Sequence, residues 1–316
     1  MRRNRAFISC AAVLVTVGAG VTGFAKADAG GKLQVSSTSA SKSISTSKST
    51  SKSKSTSSAQ SSPTATKSAA PARSIAPQEP AADATTSADS MSVSDPLEGE
   101  PFSGVPQVGT LFGTSGGSLT SHHCTGSVVS SPEGDIVVTA AHCVYDSSGA
   151  ETDLAFVPEY DNGSMPYGAW AVSAAYVAPQ WITDRDPNYD VAFIVVHKSG
   201  SSTPIQDEVG ADTLAVDQPF TDLTTVIGYP SDTNQPITCT NYTTEFSSTQ
   251  LQFDCDGYPG GTSGSPFLTD VNAKTGLGTV VGVIGGYQTG GDSPDISYSV
   301  HFTDSVSQLL AKAEAG

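Results

Sequence analysis

The chain has 316 residues and a formal net charge of −16 at pH 7. The charge is uneven: residues 1–100 hold eleven Lys or Arg against seven Asp or Glu, a net of +4, whereas residues 101–316 hold four against twenty-four, a net of −20. So acidic a region repels phosphate backbones, which excludes nucleic acid as a partner, and its high net charge favours solubility.

The first 27 residues have the pattern of a secretory signal peptide. Three arginines within the first five residues precede an apolar run over residues 6–24, and "AKA" at residues 25–27 supplies the small residues of a cleavage site. A retained anchor helix is the alternative, but glycines interrupt a run that is barely long enough to span a bilayer. We therefore expect a secreted protein that has no transmembrane anchor after processing.

Residues 28–100 read as a disordered stalk or a pro-region. From about Ser36 to Ser94 the sequence consists mostly of Ser, Thr, Ala, Pro and Lys. Such a segment cannot bury enough apolar surface to offset its ordering entropy. The lysines keep the linker solvated, and a weak contact between this basic tail and an anionic cell wall is the alternative interpretation.

Residues 101–316 predict one all-β unit. Apolar runs such as "GDIVVTAAH", "DVAFIVVH", "LTTVIGYP" and "GLGTVVGVIGGY" lie between clusters of Gly, Pro, Asn and Asp. Such runs are typical of strands. The number and spacing of these segments indicate a double sandwich or double barrel. Only the last segment, "SVSQLLAKAEA", has the pattern of a helix.

Four cysteines lie outside the signal peptide, and an even number favours disulfides in an exported chain. Of the three connectivities that four cysteines allow, we favour the one in which each bond closes a loop of fewer than twenty residues between neighbouring strands. In the chain-entropy model each bond contributes about 3 kcal/mol. The predicted pairs are Cys124–Cys143 and Cys239–Cys255.

The cluster His122-His123-Cys124 raises zinc as an alternative. No second pair of ligands at suitable spacing accompanies it. We therefore predict no metal site and no cofactor.

Three short segments contain candidate catalytic side chains. In "TAAHC" His142 follows an apolar strand, and the adjacent half-cystine holds its ring in place. In "NYDVAFIVV" Asp190 stands at the mouth of an apolar strand, where a carboxylate is costly unless a group such as an imidazole N–H donates to it. In "GGTSGSP", residues 260–266, flanking glycines suit a site built from main-chain N–H groups, and a plain turn is the alternative.

"TAAHC", "DVAFI" and "GGTSGSP" occur in the order His, Asp, Ser, and together they resemble the chymotrypsin-like serine proteases over residues 105–312. "GTSGS" also matches the G-x-S-x-G elbow of α/β-hydrolases, but the all-β pattern and the order of the residues do not. The resemblance implies an all-β fold of two packed six-stranded antiparallel β-barrels, at about 105–205 and 206–303, with a C-terminal helix.

The resemblance also implies the roles of the site residues. Ser263 is the nucleophile, His142 the general base and then acid, and Asp190 the carboxylate that orients the imidazole. The N–H groups of Gly261 and Ser263 form the oxyanion hole. The expected function is a secreted, monomeric serine endopeptidase that hydrolyses protein or peptide substrates through an acyl-enzyme.

Two positions depart from the digestive members of this family. Thr262 stands where those enzymes carry an aspartate that binds the new N-terminus, so activation by that route is in doubt. The "GxSGSP" variant is more similar to the bacterial glutamyl endopeptidases. Ile284, however, occupies the place of their specificity histidine, and glutamate specificity is therefore not supported.

The specificity pocket is implied by the same resemblance. Neither of its walls has a basic residue, so we expect an uncharged P1 residue. Asp254 and Asp256 lie just outside the pocket base, which makes a basic P1 residue the alternative. We also expect the second wall to be a strand that pairs with the substrate backbone. The walls are Gly257, Tyr258 and Pro259 on one side and Gly285, Gly286 and Tyr287, following Ile284, on the other.

Two functions of other classes stay open. One is a catalytically inactive binding or adhesion module with a protease fold, whose usual sign is a replaced triad residue; none is replaced here. The other is a structural protein of the cell wall in which the basic tail is the functional part.

Overall fold

The computed structural model describes residues 97–316 and the backbone of the short strand Lys32–Leu33. The signal peptide predicted at 1–27 and most of the segment predicted as a stalk or pro-region at 28–100 lie outside the described residues. The strands of the described residues are β1 Lys32–Leu33, β2 Glu100–Pro101, β3 Val108–Ser115, β4 Ser118–Val128, β5 Ile136–Thr139, β6 Tyr145–Asp146, β7 Gly149–Ala150, β8 Leu154–Pro158, β9 Trp170–Val177, β10 Ala192–His197, β11 Thr213–Leu214, β12 Leu223–Gly228, β13 Ile237–Ser247, β14 Gln250–Asp254, β15 Pro266–Thr269, β16 Thr279–Val283 and β17 Ile296–Val300. The α-helices there are α1 Pro179–Asp184, α2 Ile205–Val209 and α3 Asp304–Ala315.

Six strands form the first barrel. Their order is β9-β10-β5-β4-β3-β8, and β8 pairs with β9 to close the ring. Each of these pairings is antiparallel, and β1 adds to β9 outside the ring. The β3–β4 hairpin turns at Gly116 and Gly117, which both have positive φ, as a two-residue type I′ turn requires.

The second barrel is built from β16-β15-β12-β13-β14-β17. Its two ends meet at a bridge between Ile284, just beyond β16, and Ser299 in β17. Two short strands add to it: β11 runs parallel to β16, and β2 runs antiparallel to β13. The two six-stranded antiparallel barrels that the sequence resemblance implies are confirmed.

One hydrophobic core includes side chains of both barrels and of the C-terminal helix. The predicted helix at the C-terminus is confirmed as α3, which packs on β9 and β10 of the first barrel although it follows the second. Its buried residues recur three and four positions apart, which is the spacing of one helical face. Among the core residues are Val138 and Phe193 of the first barrel, Ile227 and Leu268 of the second, and Val306, Leu309 and Ala313 of the helix.

The structure adds two helices that the sequence patterns do not predict. α1 begins with Pro179 at its first position and ends at Arg185, which has φ 54°. α2 spans only five residues. Helices this short lack the repeated apolar spacing that marks a helix in sequence. None of the helices in residues 97–316 is long and apolar enough to cross a bilayer.

The folded unit also begins earlier than the predicted boundary at residue 101. The N–H of Asp256 donates to Leu97 O, and the N–H of Gly99 donates to Asp256 O, both at 2.8 Å. β2 then continues along β13. The segment around Pro101 is acidic and contains a proline, so its sequence does not predict a strand. It pairs with β13 because that edge of the second barrel has unpaired backbone N–H and C=O groups.

A buried carboxylate, Asp212, lies where the two barrels join. It accepts hydrogen bonds from Ser127 Oγ of β4 at 2.6 Å, from Gly278 N–H before β16 at 2.8 Å, and from Gln107 Nε2 at 3.3 Å. No Lys or Arg within residues 97–316 forms an ion pair with it. Burial raises the pKa of the Asp212 carboxyl to about 6, although the three hydrogen bonds act in the opposite direction.

We expect Asp212→Asn to stabilise the protein at neutral pH. Because the pKa of Asp212 is higher in the folded chain than its model value of 3.8, its contribution is complete below about pH 4 and is lost as the pH rises through about 6. A shift of this size corresponds to about 3 kcal/mol. The asparagine keeps the shape without the charge: its Oδ1 can still accept from Gly278 and Gln107, and its NH₂ can donate to the Ser127 hydroxyl, which turns to accept. The free energy of unfolding should therefore exceed that of the wild type by up to this amount at pH 8 and by little at pH 4.

Urea unfolding of both proteins at pH 4, 6 and 8, followed by tryptophan fluorescence, measures this difference. The matched control is Asp207→Asn, an exposed position in α2. An Asp212→Asn difference that stays the same at all three pH values contradicts the burial effect.

Candidate active site

His142 lies in a short 3-10 turn, Ala141–Cys143, directly after β5 and Ala140. Cys143 forms a disulfide with Cys124 of β4, and their Cα atoms are 6.1 Å apart. Strand pairing and disulfide together fix the turn on the first barrel. The second predicted pair, Cys239–Cys255, is also bonded, with Cα atoms 6.7 Å apart. Both predicted disulfides are confirmed.

Asp190 is fully buried and faces His142. Its Oδ2 accepts the imidazole Nδ1–H at 2.8 Å, and its Oδ1 accepts the backbone N–H of His142 at 2.9 Å. The N–H of Gly286, from the second barrel, donates to Oδ2 at 2.9 Å. Three N–H donors offset the cost of burying the carboxylate, and the bond at Nδ1 leaves Nε2 of the imidazole as the free proton acceptor.

The loop that carries Ser263 is held against the first barrel by Thr125 of β4. The Thr125 N–H donates to Ser263 O at 2.7 Å, and its Oγ1 donates to Gly261 O at 3.0 Å. Gly264, at φ +81°, has no room for a Cβ atom, which would meet Thr125 O and Thr139 Oγ1 and come within 3.1 Å of the N–H nitrogen of Ala140. The loop therefore lies directly against the residues that precede His142.

Ser263 itself is half-buried, and no hydrogen bond within residues 97–316 involves its Oγ. Nucleophile–base hydrogen bonds are often long in proteins without substrate and shorten when substrate binds. The structure thus brings Ser263 to the turn of His142 without a preformed bond between the two side chains.

Three backbone N–H groups of residues 260–266 donate to no carbonyl or side chain of residues 97–316: those of Gly260, Gly261 and Ser263. The N–H groups of Thr262, Gly264 and Ser265 donate to Pro259 O, Ile284 O and Thr262 O respectively. Gly261 has φ +99°, and a Cβ atom there would lie 2.6 Å from Tyr229 O. Only glycine fits this position, and the free donors include both of those predicted for the oxyanion hole, Gly261 and Ser263.

The two predicted walls of the specificity pocket differ from expectation in detail. Tyr258 is buried and donates its hydroxyl to Val226 O at 2.8 Å, and Ile284 is buried as well. On the other wall β16 already ends at Val283, so the segment expected to pair with substrate lies beyond the strand. Its N–H groups are engaged within the protein: Gly285 donates to Tyr298 O, Gly286 to Asp190, and Tyr287 to Gln250 Oε1.

Two polar residues at the site carry no signal in the sequence. Thr125 and Gln250 each contact loops that lie more than thirty positions away in the chain. A polar residue inside a strand pattern usually faces solvent, so sequence alone gives no reason to single them out.

The histidine cluster before Cys124 contacts backbone carbonyls. His122 Nε2 lies 3.1 Å from Thr233 O, and His123 Nε2 lies 3.3 Å from Cys143 O. Burial lowers the pKa of both imidazoles. The group Cys124, His142 and Cys143 is compact, but its two sulfur atoms form the disulfide and are not thiolates.

Comparison with known proteins gives a consistent family. The family model described as "Trypsin-like peptidase domain" matches residues 124–283. A glutamyl endopeptidase of Bacillus licheniformis is 32% identical over 151 residues, which are 44% of this chain and 44% of that protein. A protein of Bacillus subtilis strain 168, named extracellular metalloprotease, is 32% identical over 85 residues, which are 27% of this chain and 26% of that protein. The chain thus matches less than half the length of either curated relative.

A solved structure has the same fold. The protease Anisep of Arthrobacter nicotinovorans is similar with a TM-score of 0.60 and 26% sequence identity. The alignment covers 69% of this chain and 100% of that one.

Proposed function

The chain belongs to the family of trypsin-like peptidase domains, and we propose that it is a serine endopeptidase whose triad is His142, Asp190 and Ser263. One observation carries the proposal: Asp190 accepts the Nδ1–H of His142 at 2.8 Å, while Thr125 holds the loop of Ser263 against the same turn. An oriented imidazole beside a serine with free oxyanion donors is the arrangement that acyl transfer requires.

In this proposal Ser263 Oγ attacks the carbonyl carbon of the substrate while its proton passes to His142 Nε2. The N–H groups of Gly261 and Ser263 donate to the oxyanion, where each donor contributes about 100- to 1000-fold in rate. His142 then gives its proton to the leaving amine, and Asp190 stabilises the imidazolium between the two transfers. Water hydrolyses the acyl-enzyme by the same steps in reverse and restores Ser263.

We propose that the P1 residue of the substrate is uncharged. Ile284 is buried and apolar where a glutamate-binding histidine would stand in the similar branch. The two nearby carboxylates already have partners: Asp254 Oδ1 accepts from Gln252 Nε2 and Asp256 Oδ1 from the N–H of Gly257, both at 2.7 Å. Each bond involves one oxygen of its carboxylate and leaves the negative charge in place, so a basic P1 residue remains the alternative.

Secretion is part of the proposal. Residues 1–27 have the signal-peptide pattern, and both disulfides suit an oxidising compartment. The name of one relative, an extracellular protease, agrees with this. The acidic character of residues 101–316 suits a soluble, secreted protein that acts on peptides.

Labelling with a fluorophosphonate tests the proposal. This reagent forms a covalent bond with a serine only when a neighbouring base activates its hydroxyl. We expect one label per chain, on the peptide that contains residues 260–266, as measured by mass spectrometry after digestion. The chain with Ser263→Ala should remain unlabelled.

Ser265→Ala supplies the matched control. The Ser265 hydroxyl is fully buried and has no hydrogen-bond partner in the described part of the chain, so its removal costs little stability. This variant should be labelled like the wild type. A wild-type chain that takes up no label, or takes it up at another serine, would favour the inactive binding module over the peptidase.

A further inference from the structure

Gln250 connects the two loops that meet at Asp190. It stands at the start of β14 and is 4% exposed. Its Oε1 accepts the N–H of Tyr287 at 3.1 Å, and its Nε2 donates to Pro187 O at 3.2 Å and to Asn188 Oδ1 at 3.1 Å. Both the oxygen and the NH₂ group of this buried carboxamide have hydrogen-bond partners, so Gln250 links the two loops specifically and does more than fill space.

The first loop leads directly into Asp190. Residues 187–189 form a 3-10 turn that is capped by Asp186, whose Oδ1 accepts from Asn188 N at 3.0 Å and from Asn188 Nδ2 at 2.9 Å. Asn188 in turn presents its Oδ1 to Gln250. The position of this turn therefore determines where the Asp190 carboxylate lies.

The second loop supplies a donor to the same carboxylate. Gly286 donates its N–H to Asp190 Oδ2, and the next residue, Tyr287, donates to Gln250. Gly286 has φ +88°, and a Cβ atom there would collide with the Gln250 carboxamide. The glycine lets the backbone approach the glutamine closely, which places the two donors side by side.

We propose that Gln250 is a positioning residue for catalysis. It links the loop of Asp190 to the loop of Gly286 and so keeps the Asp190 carboxylate where it accepts the Nδ1–H of His142. This inference rests on the proposed triad. The amide is required because it donates at one end and accepts at the other. A glutamate has no donor for Asn188 at neutral pH, and a methionine has the length but neither group.

Gln250→Met and Gln250→Glu test this link in the full chain, with fluorophosphonate as the probe. We expect the limiting rate of inactivation to fall about 10- to 100-fold, the loss that follows when an outer hydrogen-bond partner of a site residue is removed. The fluorophosphonate concentration that gives half of this rate should change little, because the link orients the base and does not contact the reagent.

A nuclear magnetic resonance measurement separates positioning from a general structural role. We expect the proton that His142 Nδ1 donates to Asp190 to give a far-downfield resonance in the wild type. In both variants it should broaden or move upfield, while the thermal unfolding curve remains cooperative. Asn188→Ala, at a half-exposed position, removes one acceptor from the other end of the link and should give the same changes at smaller size even if the core variants fold poorly.

Gln252→Met is the matched control, since Gln252 lies two residues further along the same strand and its side chain, within residues 97–316, bonds only to Asp254. It should leave the rate and the resonance unchanged. Gln250→Met with wild-type rate and resonance overturns the inference, as does an equal loss in Gln252→Met. If the wild type takes up no label, the proposed function fails, and the resonance alone then decides the role of Gln250.

Discussion

Ser263→Ala is expected to lower kcat for peptide hydrolysis by about a millionfold, with the fold unchanged. In the proposed mechanism Ser263 Oγ is the atom that forms the bond to the acyl group. Its removal costs no hydrogen bond, because none within residues 97–316 involves Ser263 Oγ. The residual rate comes from the oxyanion donors and from substrate binding alone.

His142→Ala should produce a loss of similar size, and the double variant should lose no more than either single one. Nucleophile and base act as one unit, so that once either is absent the other contributes nothing. Steady-state hydrolysis of a peptide with an uncharged P1 residue measures all three variants, and circular dichroism checks their folds. Losses that multiply in the double variant would show that His142 and Ser263 work independently.

Asp190→Asn is expected to lower kcat by about ten-thousandfold. Both oxygens of Asp190 accept N–H groups, from the side chain and backbone of His142 and from Gly286. An asparagine has one acceptor, so one of these donors must face an NH₂ group. If that donor is the imidazole, the proton moves to Nε2 and the ring can no longer take the proton of Ser263.

The same change should cost stability, about 1–3 kcal/mol, since a buried donor loses its partner. Asp184→Asn, at the exposed end of α1, is the control for the removal of one negative charge. Measurements of kcat and of urea unfolding on both variants separate the loss of activity from the loss of stability. Near-normal kcat in Asp190→Asn would assign the orientation of the imidazole to another group.

The sequence predicts those parts of the site that depend on local chemistry. His142 is found because a half-cystine adjoins it, and Asp190 because a carboxylate at the mouth of an apolar strand needs a donor. In both cases the reason lies within a few residues of the position. The two disulfides follow in the same way, from short loops between neighbouring strands. The roles of Ser263 and Gly261 are predicted only from the resemblance to the chymotrypsin-like serine proteases.

The sequence does not predict contacts that depend on how the barrels pack. Gln250 acts on loops that lie about forty and sixty residues away in the chain, and only the closed second barrel brings it there. The end of β16 at Val283 is similar: the next residues turn towards β17, where Ile284 bridges Ser299, and Gly286 then donates its N–H to Asp190 on the other barrel. Tertiary partners of this kind override a local strand pattern.

The bonds of Thr125 have a consequence for when activity can arise. This residue belongs to the first barrel, yet it holds both the carbonyl of Ser263 and that of Gly261 in the second. Neither barrel on its own contains a complete set of reacting groups, and a partly folded chain has no organised nucleophile. In the proposed mechanism a partly folded chain is therefore inactive, and hydrolysis begins only once the contacts between the two barrels have formed.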